Sequence, residues 1–62
     1  MKEELKLIVN IKTNKRVYMY NNNYISVDRF NEILDSWEFM GYNIKKYDMR
    51  KGNQHIFVWY VK

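Results

Sequence analysis

The stretch Ser26–Gly41, SVDRFNEILDSWEFMG, constrains this chain more than any other, because its pattern suits a helix and little else. On a helical projection Val27, Phe30, Ile33, Leu34, Trp37 and Met40 fall on one apolar stripe, with Asp28, Asn31, Glu32, Asp35 and Glu38 opposite. Ser26 is placed to cap the free N–H groups of the first turn, and Asp28 lies where the helix dipole favours an anion. Ile25 and Phe30 have the spacing of a hydrophobic staple. Gly41 can take the left-handed conformation that closes a helix, letting Tyr42 fold back on Trp37. The remainder of a 62-residue chain must be arranged around this element.

The flanking segments read as strands. Leu5, Leu7, Val9 and Ile11 alternate with Lys6, Asn10 and Lys12 over residues 4–12, with Ile8 adding an apolar group to the second face. Thr13-Asn14-Lys15 suits a tight turn, since Asn tolerates positive φ. Arg16 to Asn21 forms a second strand, Val17 and Met19 on one face, Tyr18 and Tyr20 on the other. Asn21 to Tyr24 reads as a loop into the helix. Residues 43–49 make a third strand of poor alternation, Arg50 to Asn53 a turn, and His55 to Val61 a β-prone run that is apolar on both faces. No repeat or linker divides the chain, so residues 1–62 are expected to form a single α+β domain.

The expected order is therefore ββαββ. If one helix joins two hairpins, the first and last strands run parallel, and as the most apolar strands they should pair centrally. That predicts a four-stranded mixed sheet of order 2-1-4-3, with one helix packed on one face. In topology and length this is similar to β-grasp domains, including the small bacterial immunoglobulin-binding modules. No motif of those proteins accompanies the resemblance, and fold alone carries no function.

Alternation then divides the sheet. With Leu5, Leu7, Val9, Ile11, Val17, Met19, Ile44, Ile56 and Val58 toward the helix, the other face carries Lys6, Ile8, Asn10, Lys12, Arg16, Tyr18, Tyr20, Lys45, Tyr47, His55, Phe57 and Trp59. An exterior of rings edged by cations is more than a solvated face requires.

Charge is segregated too. Residues 1–25 carry five Lys/Arg against two Glu, and residues 42–62 five against one Asp, whereas residues 26–41 hold one Arg against four acids. An acidic helix argues against a recognition helix in a major groove, so phosphate contacts should come from the sheet and turns. The leading expectation is single-stranded DNA or RNA binding, with bases stacked on Tyr18, Tyr20, Tyr47 and Trp59 and phosphates met by Lys12, Lys15, Arg16, Lys45 and Lys51. The same rings would also serve a homodimer packed through the open sheet face.

The alternative is a protein interface. Phe39 projects among Asp28, Glu32 and Asp35, an aromatic anchor ringed by acids. A small inhibitor or adaptor of the phage or mobile-element kind would use it to dock on a basic host protein, such as a nucleic-acid-handling enzyme. Richness in Lys, Asn, Ile and Tyr without Ala or Pro is the associated compositional sign.

Catalysis is not expected. His55 is the lone histidine, cysteine is absent, and Ser26 and Ser36 sit at a helix cap and an outer helical position. Gly41 and Gly52 read as a helix stop and a turn rather than a phosphate loop. The acids of one helical face lack converging ligands, so neither metal nor cofactor is expected. The charged start of the chain resembles no signal peptide and no run spans a membrane, which with the missing cysteines suits a cytoplasmic setting.

Overall fold

A computed structural model describes residues 2–62. Its elements are β1 (Glu3–Asn10), β2 (Arg16–Tyr20), β3 (Asn23–Ile25), α1 (Val27–Phe39), β4 (Lys45–Lys51) and β5 (Gln54–Val61). One sheet contains all five strands in the order β3-β2-β1-β5-β4, and every pairing is antiparallel. This overturns the expected four-stranded mixed sheet and its β-grasp-like order.

The reason lies in a loop that is not a loop. Asn21 and Asn22 both have positive φ, 47° and 68°. Tyr20 pairs with Asn23 across them. Two left-handed residues between paired strands make the hairpin turn whose twist matches that of the strands. Asn21 is also clamped to β1: its N–H donates to the Glu4 carbonyl, and its Oδ1 accepts from the Glu4 N–H, each at 2.9 Å. The chain thus reverses once more before the helix. The helix starts from the opposite direction, and β5 returns beside β1 antiparallel instead of parallel.

The helix ends follow the local code. Ser26 Oγ accepts from the Arg29 N–H at 3.1 Å. Gly41, at φ 75°, donates to the Glu38 carbonyl, and the Tyr42 N–H reaches back to the Trp37 carbonyl at 3.1 Å. That pair of bonds is a Schellman closure. Thirteen residues give a rod about 20 Å long, close to the roughly 19 Å width of five strands. Since β3 and β4 are opposite edges, α1 crosses the sheet from one to the other.

Beneath the rod, Phe30, Ile33 and Trp37 close over Leu5 and Val61. Leu7, Tyr18, Tyr20, Ile25, Leu34, Ile44 and Trp59 pack around them, half-buried. Phe30 meets Tyr18 and Trp59 edge-on, with ring centroids 5.1 and 5.4 Å away. Register places Leu5 opposite both Tyr20 and Trp59, and Leu7 opposite both Tyr18 and Phe57. Tyr18, Tyr20, Phe57 and Trp59 therefore lie on the helix side, whereas Val17, Met19, Ile56 and Val58 face outward. This reverses the expected assignment of both strands. A domain this small fills its single core layer with rings, each able to bury 150–250 Å² by general measure, rather than with valines. Val27 and Met40, at the ends of the stripe, stay exposed.

Two substitutions test this account by chemical denaturation. Trp37, only 3% exposed, becomes a large void in Trp37→Ala, at a cost of about 3–5 kcal/mol, enough to unfold a domain of this size. Asn22→Val forces a β-branched residue to positive φ and should destabilise by about 1–2 kcal/mol, whereas Asn22→Gly should be neutral or stabilising.

Candidate functional site

Because β3 ends at Ile25, level with Tyr18 and Leu7, the helix begins partway along the sheet and runs toward Lys45. The far end of the helix-side face is left bare. There Leu7, Val9, Ile11, Asn14, Arg16, Arg50, His55 and Phe57 line a groove of about 550 Å³. Val9 and Ile11 were expected under the helix; they form its floor instead, Ile11 being half exposed.

Two turns frame the groove. Asn10 organises the first: its Oδ1 accepts from the N–H groups of Lys12 and Thr13, its carbonyl from Asn14, and its own N–H donates to the Lys15 carbonyl. Asn14 has φ 64°. Gly52, at φ 61°, opens the two-residue turn between Lys51 and Gln54. The Ile11 N–H donates to the Asn53 carbonyl at 2.7 Å, stitching the turns together. Lys12, Lys15, Arg16, Arg50 and Lys51 are thereby gathered at one end of the molecule, and residues 10–16 and 49–55 contain no acid. The nearest carboxylate, Asp48, lies 2.7 Å from His55 Nε2. The His55 ring leans on Phe57 with centroids 4.1 Å apart and planes at 32°.

The nine residues expected to bind nucleic acid do not converge. Arg16 lines the groove, Lys12 and Lys15 sit in the turn beside it, and Lys51 ends β4 on the opposite face of the sheet. Tyr18, Tyr20 and Trp59 lie against the helix and core, and Lys45 and Tyr47 belong to the outer face. Among the described residues these form no continuous ring-and-cation platform, because Tyr18, Tyr20 and Trp59 pack against the core. Of the eight groove residues only Arg16 belongs to the expected set; Arg50, His55 and Phe57 are the charged and ring-bearing ones it lacked. Phe57 and His55 alternate with Trp59 along β5, so knowing the side on which Trp59 lies would have identified both.

The acidic alternative is a contiguous surface. Asp28, Glu32, Asp35 and Phe39 are all exposed on the outer face of α1, and Phe39 is 91% accessible. It does not tuck beneath the departing chain. Among the described residues, no group of three or more His, Asp or Glu side chains could hold a metal ion. No described helix is long and apolar enough to cross a membrane. No protein-family model, curated protein or solved structure matches this chain.

Under the helix, the Tyr20 hydroxyl donates to the Glu3 carboxylate. That hydrogen bond first, and burial second, raise the phenol pKa above its ordinary 10.0. The folded state therefore favours the protonated ring, a stabilisation in place below pH 10 and lost as pH climbs through the elevated value. Tyr20→Phe should unfold about 1 kcal/mol more easily at neutral pH, and denaturant titrations across the alkaline range should show that gap closing.

Proposed function

We infer that this protein is a non-catalytic binding module for single-stranded nucleic acid, gripped at the turn end of the sheet. The observation that carries the reading is the pair Arg16 and Arg50 lining an apolar groove, with Lys12, Lys15 and Lys51 in or beside the turns at the same end and no acid in residues 10–16 or 49–55. Arg16 and Arg50 flank the floor from neighbouring strands and suit phosphate oxygens through their planar forks. The half-buried rings of Phe57 and His55 in the groove offer one stacking site, of the kind worth about 1–3 kcal/mol per base. An acidic helix on the remote part of the molecule orients the basic end toward a polyanion. The missing cysteines fit action in the cytoplasm.

Fluorescence anisotropy with labelled single strands tests this directly. With about four phosphates contacted, affinity should fall roughly 50-fold between 50 and 200 mM salt. Arg16→Glu and Arg50→Glu should each weaken binding strongly at low salt. Lys62→Glu, the same charge change elsewhere, should have little effect; equal losses in all three would leave only non-specific attraction.

A second reading rests on Phe39, whose 91% exposure beside Asp28, Glu32 and Asp35 marks a protein-binding anchor for a basic partner surface. Phe39→Ala should then remove specific proteins from those retained by the wild type in affinity capture, with folding unchanged. An identical retained set rules out the anchor.

A further inference from the structure

The face of the sheet turned away from the helix is built in rows that register across the strands. Val17, Ile8, Ile56 and Met49 form one apolar row. Next to it run Met19, Lys6, Val58 and Tyr47, and beyond that Glu4, Tyr60 and Lys45. Val58 is 1% exposed although no described helix or loop crosses this face, being walled in by taller neighbours. Tyr47 and Tyr60 meet edge-on at 5.9 Å. A 7.8 kDa monomer is expected to expose about 4,400 Å², whereas this chain exposes 4763 Å². Tyr47 and Met49 of this face are among the exposed large apolar side chains, at 46% and 43%.

We propose that this face is closed by a second copy of the chain, sheet on sheet, about a two-fold axis running parallel to β5. Such an axis lays β5 on its mate and sets β1 of each copy over β4 of the other. Each row then meets itself in reverse. Glu4 faces the partner's Lys45, and Lys6 lies over the ring of the partner's Tyr47. Ile8 meets the partner's Met49 and Ile56 meets its own counterpart, while the taller neighbours of Val58 meet above it. No charge on the face is left against a like charge. Turning the axis across the strands instead would set Lys45 on Lys51 and Lys6 on Ile8. The patch measures on the order of 500 Å² per copy, about 1,000 Å² in total, the lower bound for a specific interface. The groove at Arg16 and Arg50 lies on the opposite side of the sheet, so the pairing leaves it open.

Sedimentation equilibrium decides the matter, with far-UV circular dichroism as the check on folding. The wild-type chain should sediment near twice its 7.8 kDa mass at micromolar concentrations, and Ile56→Lys should sediment as a folded monomer. Glu4→Lys should weaken association about tenfold through its two symmetric contacts, and adding Lys45→Glu should restore it. A wild type that stays monomeric at high concentration overturns the proposal. So does a folded Ile56→Lys dimer, or a double charge swap that fails to recover what the single swap lost.

Discussion

Two consecutive asparagines in left-handed conformation govern this architecture. Chain direction is a matter of parity: each tight reversal flips the sense of everything that follows. The Asn21–Asn22 turn adds one reversal between β2 and α1. The rod is thereby launched from an edge strand, directed across the sheet, and made to deliver β5 beside β1 head to tail. Antiparallel pairing of those two strands over their whole length then supplies the centre of the sheet. The short β3 also sets where the rod begins, and so which half of the sheet it shelters.

The helix was legible almost to the residue, because its signals are local. A cap, a stripe and a terminal glycine act on their own neighbours, whatever the rest of the chain does. The first hairpin was readable in outline through Asn14, although β1 stops at Asn10, and Ile11 and Lys12, expected in the strand, belong to the turn. Strand orientation was not. Alternation separates Tyr18 and Tyr20 from Val17 and Met19, but it does not say which pair lies inward. That choice is made by the volume left beneath Phe30 and Trp37, a tertiary quantity. Rings fill it, with the Tyr20 hydroxyl reaching Glu3, whereas Val and Met would leave it partly empty. In β5 both faces are apolar, so pattern carries no information and size decides. A three-residue strand made of Asn, Tyr and Ile offers too little periodicity to be seen.

The candidate site shows the same division. Lys12 and Lys15 were visible from charge and turn chemistry, since turns keep their residues exposed in any packing; Arg50, expected in a turn, belongs to β4. The aromatic component was misplaced because it depended on the faces. Phe57 and His55, which do line the groove, sit on the helix side but beyond the reach of α1, a position set jointly by the end of β3 and the register of β5. The acidic exterior of α1 depended only on helical spacing, and there Phe39 stands free as the wheel implied.

The two borders of the sheet carry a further consequence. On one side β3 offers only three residues as a template for an added strand. On the other, β4 is exposed along its length and studded with Lys45, Lys46, Arg50 and Lys51. A second such strand laid alongside would bring like charges together. Lateral addition of strands is thus disfavoured at both margins, by the brevity of one edge and the charge of the other.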